Sequence, residues 1–151
     1  MNPDAEHKLK LSSATISVIL HATEDKERLT SKIVEVLGLN STKFDEIKSE
    51  GHWGNEIRLL NLCLKQTEAE QLIRKILLLL EELDQNKLPP YLEESVDEKN
   101  SLYVRIDKQK LFSGRIAFSD HDPIRIKFRL FKTFKQGDNT TNYRELLSSK
   151  Q

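Results

Sequence analysis

The chain predicts an α+β domain built on a single, largely antiparallel sheet, with two main helices packed on one face in the order βαββαββ. Three observations carry that expectation. Ile124, Ile126, Phe128 and Leu130 alternate strictly with Arg125, Lys127 and Arg129, the period of a half-buried strand. Leu72, Ile73, Ile76, Leu77, Leu80 and Leu83 recur at helical spacing behind Thr67 and Glu70, which stand as a capping box. Read from end to end, the segments run strand, helix, strand, strand, helix, strand, strand.

Leu9 to Ala22 contains the first strand, with Ile16, Val18, Leu20 and Ala22 pointing one way and Ser17, Ile19 and His21 the other. Thr23 offers a side-chain oxygen to cap a helix whose first turn carries Glu24 and Asp25 and whose apolar face is Leu29, Ile33, Val36 and Leu37. Gly38 ends that helix. Lys43 to Ser49 and Glu56 to Lys65 both read as extended, and the short connection between them makes a hairpin the economical arrangement. In the second helix Leu78 and Leu79 widen the apolar face, so it is expected over the middle of the sheet. Asp84 to Lys99 holds Pro89-Pro90 among acids and reads as a connecting loop. Leu102, Val104 and Ile106 alternate with Tyr103 and Arg105 in a fourth strand; Asp107 caps a helical turn from Lys108 to Phe112, and Gly114 closes it. The last strand follows the turn at Asp120 to Pro123, and Ile116 to Phe118 reads as a short extra strand. The polar stretch 138–151 reads as a frayed tail of the single domain 1–151.

A length of 151 residues suits one domain with its own core. Basic and acidic residues number 24 each, so nothing in the total charge points to nucleic acid, and any electrostatic function must come from local segregation. Such segregation is present. Ser101 to Lys135 holds nine basic residues against three acids, whereas Glu81 to Asn100 holds seven acids against two lysines. Arg125, Lys127 and Arg129 share one strand face, spaced about 6.6 to 6.8 Å apart by the strand rise. They form either a phosphate track or, if acids such as Asp45 or Glu56 stand beside them, ordinary solvated sheet surface. The lone Cys63 excludes an internal disulfide and argues against a thiolate zinc site, which fits a reducing cytoplasm; it lies in an apolar run and is expected to be buried. Residues Met1 to Lys10 lack the apolar core of a signal peptide, and the longest apolar run, Ile76 to Leu80, falls far short of the roughly 20 residues of a membrane span.

Gly51 and Gly54 frame His52 and the only Trp, Trp53, with Asn55 following. The glycines permit a tight or bulged connection that holds the aromatic and the imidazole outward, as stacking surfaces for an unpaired base. Alternatively Trp53 folds back as a lid on the sheet edge. Three segments, Glu50 to Ile57, Arg105 to Gly114 and Asp122 to Leu130, together resemble the archaeal RNA-binding-domain family known as predicted exosome subunits. The most specific parts are Gly51-His52-Trp53-Gly54-Asn55, the run Arg105-Ile106-Asp107-Lys108-Gln109, and Gly114. In that family a second histidine is common where Trp53 stands, and proline where Glu56 stands. The resemblance implies a fold similar to a large-subunit ribosomal RNA-binding protein, and it implies RNA binding without catalytic residues.

No enzyme signature competes with this reading. His7, His21, His52 and His121 are dispersed; Asp120-His121-Asp122 sets carboxylates beside an imidazole, as a divalent-ion site or a hydrolase would need, but a turn before Pro123 explains it at least as well and the hydrolase ranks far below. No phosphate loop or nucleophile elbow occurs. The expected function is therefore a non-catalytic, cofactor-free RNA binder without a metal, an accessory of RNA processing or degradation or of ribosome-related RNA. Arg125, Lys127 and Arg129, aided by Arg105 and Lys108, would hold phosphates of a single-stranded or locally unpaired RNA, and His52, Trp53 and Asn55 would engage a base or ribose. The rival expectation is a protein-interaction subunit that docks through the acidic, proline-containing loop.

Overall fold

The structure, a computed structural model, describes residues 11–40, 43–50, 56–80, 84, 86–87, 95–99 and 101–130. Among these, the chain forms β1 (Leu11–His21), α1 (Lys26–Leu37), β2 (Asp45–Glu50), β3 (Glu56–Lys65), α2 (Gln66–Leu79), β4 (Ser101–Ile106), α3 (Lys108–Leu111) and β5 (Ile124–Leu130). The strands make one antiparallel sheet in the spatial order β2-β3-β1-β5-β4. This is an α+β architecture with a long central strand.

The alternation in β1 and β5 sorts their side chains between core and solvent. Ala14, Ile16, Val18 and Leu20 from β1, and Ile124, Ile126 and Phe128 from β5, are buried on one sheet face. Leu60, Leu62 and Leu64 of β3 and Val104 and Ile106 of β4 join the same core. Helix α1 contributes Leu29, Ile33, Val36 and Leu37 to it, and α2 contributes Ala69, Leu72, Ile73, Ile76 and Leu77. Helix α2 lies against β1 and β3, while α1 touches α2 and α3. Arg28 of α1 stands over the Phe112 ring just after α3, 5.3 Å from its centroid.

Several local readings change. The cap of α1 is Asp25, whose carboxylate accepts from Arg28 N–H at 3.3 Å, and not Thr23, which lies three residues before the first helical residue. Glu24 therefore precedes the helix instead of filling its first turn. The pair Thr67 and Glu70 does not cap α2, because β3 runs directly into the helix: Lys65 is the capping position and makes no side-chain bond. Leu78 projects into solvent, 73% exposed, so it does not widen the buried face. Residues Ile116 and Phe118 make isolated bridges to Leu80 and Ile106 rather than a strand. Two expectations hold. Gly38 takes a left-handed φ of 67° and its N–H reaches Val34 O, closing α1 as a residue without Cβ strain can. Asp107 caps α3 by accepting from Lys110 N–H at 2.9 Å.

Candidate nucleic-acid interface

The sheet face opposite the core carries the sequence's charge segregation. On β5, Arg125 and Arg129 are exposed and Lys127 is half-buried. The register with β1 places Ser17, Thr15 and Ser13 beside Arg125, Lys127 and Arg129, and β3 continues these rows with Asn61, Cys63 and Lys65. On the other flank β4 sets Arg105 beside Arg125 and Tyr103 beside Lys127. A cationic strip bordered by hydroxyl and amide groups results, with Ser17 Oγ donating to Asn61 Oδ1 at 2.6 Å. Among the described residues Arg125 and Arg129 form no ion pair.

The strand order decides which acids can neutralise the strip. Asp45 and Glu56 lie on β2 and β3, separated from β5 by at least one strand, and Glu56 binds Arg58 at 3.3 Å. Among the described residues, Asp97, which precedes β4, is an acid close enough to Lys127 to feel its charge. Burial pushes its carboxyl up, but N–H groups of Ser101 and Lys99, the Tyr103 hydroxyl and the Lys127 charge together hold it below its ordinary value. Tyr103 is further packed between cations, 5.5 Å from Lys127 Nζ and 5.9 Å from Arg105 Cζ, a cation–π arrangement. Tyr103 was legible as Arg105's neighbour on one strand face, yet only the register shows that it shares a row with Lys127.

Lys108 is not part of the strip. It is 4% exposed, and its ammonium donates to Ile19 O at 2.9 Å, Glu24 Oε1 at 3.2 Å and Asp122 Oδ2 at 3.0 Å. A lysine so committed is held in the fold by Ile19, Glu24 and Asp122 and is not presented on the strip. Asp122 also accepts from His21 Nε2 at 3.1 Å, which makes His21 and not His121 its imidazole partner. Burial raises the Asp122 carboxyl, but the bonds and charges of Lys108 and His21 outweigh that and leave it below its ordinary value. His21, Glu24 and Asp122 bring ligand-type atoms within 4.8 Å of one another, but the Lys108 ammonium already supplies the positive charge between the carboxylates.

Asp120 and His121 are exposed turn residues, and the His121 N–H donates to Ser119 Oγ at 3.2 Å. Cys63, expected to be buried, is exposed on the same face as Thr15, because the parity of β3 sends Leu62 and Leu64 inward. His52, Trp53 and Asn55 lie outside the described residues, as do Pro89, Pro90 and most of the acidic segment. The strands flanking residues 51–55 end at the Glu50 and Glu56 pair, beyond the row in which Ile57 faces His21. Among the described residues no helix is long and apolar enough to cross a membrane.

The chain is 30% identical over 145 residues to an uncharacterized protein, MJ0213, of Methanocaldococcus jannaschii, covering 92% of this chain and 97% of that protein. It is 30% identical over 137 residues to the RNA-binding protein PAB1135 of Pyrococcus abyssi, covering 85% and 89% of the two chains. Among solved structures, protein AF2318 from Archaeglobus fulgidus superposes with a TM-score of 0.77 at 31% identity, covering 91% of this chain and 99% of that one. Mth689, a DUF54 protein from Methanothermobacter thermautotrophicus, shares the fold with a TM-score of 0.71 at 22% identity, over 91% and 98% of the chains. Residues 13–130 match the family described as RNA binding, a range that runs from within β1 to the end of β5, and the chain belongs to that family.

Proposed function

We propose that the protein is a non-catalytic RNA binder that lays a single-stranded or locally unpaired RNA across the open face of its sheet, as an accessory of RNA processing, RNA degradation or ribosome-related RNA. The observation that carries this reading is the strip Arg125, Lys127 and Arg129, extended by Arg105 and flanked by Ser13, Thr15 and Ser17. Side chains on alternate strand positions lie about 6.6 to 6.8 Å apart, a spacing at which successive phosphates of an extended strand can each meet a cation. Hydroxyl and amide groups beside them supply neutral donors to phosphate and sugar oxygens. Tyr103 adds a flat surface within the strip, and His52 and Trp53 are the proposed partners of a base. The neutral total charge predicts moderate affinity. Its test is a titration of labelled single-stranded RNA at several salt concentrations. The plot of log affinity against log salt should fall with a slope of about −2 to −3, at roughly 0.7 for each phosphate neutralised. Absence of salt-dependent binding would sink the proposal.

A further inference from the structure

A cleft of about 120 Å³ opens where the basic strip meets the turn before β5. Ile19, Leu59 and Pro123 form its apolar walls, and Ser17, Asp122 and Arg125 its polar groups. Ile19 and Leu59 face each other across β1 and β3, and Ile19 stays 41% exposed on a face otherwise rich in hydroxyls and charge. Asp122 is held there in an unusual backbone conformation, with φ at 45°, which a residue bearing a Cβ adopts only at a cost. Its two oxygens are positioned by different partners, Oδ1 by His21 and Oδ2 by Lys108, and each oxygen retains acceptor capacity.

Resting on the RNA-binding reading above, we infer that this cleft is a guanine subsite. The base lies against Ile19, Leu59 and Pro123, the Asp122 carboxylate accepts hydrogen bonds from guanine N1–H and N2–H, and Arg125 faces O6. The choice among bases follows from their edges. Guanine alone presents two adjacent donors beside a carbonyl acceptor, matching a carboxylate next to a guanidinium. Adenine and cytosine each present a ring-nitrogen acceptor where the carboxylate needs a donor, and uracil places its single N–H between two carbonyls. That edge is accessible only on an unpaired base, so the subsite selects single-stranded or looped RNA. The Lys108 ammonium offsets the repulsion between Asp122 and the nearby RNA backbone, which explains how an acid can stand at the end of a phosphate track.

The decisive measurement is fluorescence anisotropy of the full chain with a short oligouridylate carrying one central guanosine, inosine, adenosine, cytidine or uridine. The guanosine oligomer should bind about tenfold more tightly than all-uridine, the scale of one good bidentate base interaction. Inosine, which lacks the N2 amino group, should fall between them, and adenosine and cytidine should give no gain. Asp122→Asn should bring the guanosine-to-uridine ratio to near one. Because that change also disturbs the Lys108 cluster, Leu59→Phe, which fills the cleft without touching a charge, should independently collapse the ratio. Equal, salt-dependent affinity for all five oligomers would remove the subsite and leave RNA binding standing. No binding of any oligomer would remove both, and a guanosine preference that survives both substitutions would overturn this placement.

Discussion

At Lys108 one ammonium ties together three pieces of chain that are distant in sequence: its partners Ile19 and Glu24 lie 89 and 84 positions away, and Asp122 lies 14 away. Replacing it with Met would keep the aliphatic stem but leave the Glu24 and Asp122 carboxylates without the ammonium between them. Breaking a buried pair this way ordinarily costs several kcal/mol, and partial solvation of Glu24 and Asp122 reduces the expected loss to about 2 to 3 kcal/mol. Denaturant unfolding of Lys108→Met should show that loss, while the salt slope of RNA binding for the folded variant stays unchanged. A stable variant with a flatter slope would return Lys108 to the phosphate track. Nothing local in the sequence distinguishes this lysine from Lys110, since a charge following a cap in a basic segment looks like surface. Its role depends on β1 and the turn before β5 meeting at its Nζ.

Strand β5 is the element on which the functional reading depends. Converting Arg125, Lys127 and Arg129 together to Ala should flatten the salt slope by up to about 2, at roughly 0.7 for each phosphate left without its cation. The unfolding midpoint should move little, because the exposed arginines contribute little to stability. An unchanged slope would locate the RNA elsewhere on the molecule. The hairpin of β2 and β3 offers a separate test at Trp53: if it stacks on a base, Trp53→Ala should weaken binding by about 1 to 3 kcal/mol without altering the slope, since stacking releases no counterions. Strong destabilisation with full affinity in the folded fraction would instead identify a lid. The alternation of β5 and the hairpin pairing were readable from sequence because period-two patterning fixes faces. The helix starts were not: Thr23 and Thr67 carry the right chemistry for caps, but where the backbone turns is set by how β1 ends and by β3 running straight into α2. Nor could the sequence exclude Asp45 as a neighbour of the strip, because strand order is a property of the assembled sheet.

At the scale of the whole molecule, the acids held below their ordinary range among the described residues contribute to the response to acid. Asp97 and Asp122 reach that state against their own burial, and Glu46 chiefly through its hydrogen bond to Lys26. A carboxyl depressed in the folded chain binds protons more readily when unfolded, so its contribution is complete above its unfolded pKa and is lost as pH falls through the lower folded value. Thermal melts should therefore be flat with respect to these groups above about pH 5 and decline below about pH 4, with a shallower decline in Asp122→Asn. A decline of wild-type slope in that variant would remove Asp122 from the balance. The strand order has a consequence in time as well as in space. β1 is flanked on one side by β3 and on the other by β5, and its Ser12 bonds to Arg129, 117 positions along the chain. During synthesis the β2–β3 hairpin and β1 can associate early, yet one edge of β1 stays open until residue 130 has emerged, and such distant pairing closes slowly. For that interval the nascent chain presents an unpaired hydrogen-bonding edge, the kind of edge that invites pairing with another chain. The strand that shuts this edge is also the one that bears the cations, so the charged face comes into being only in the step that completes the fold.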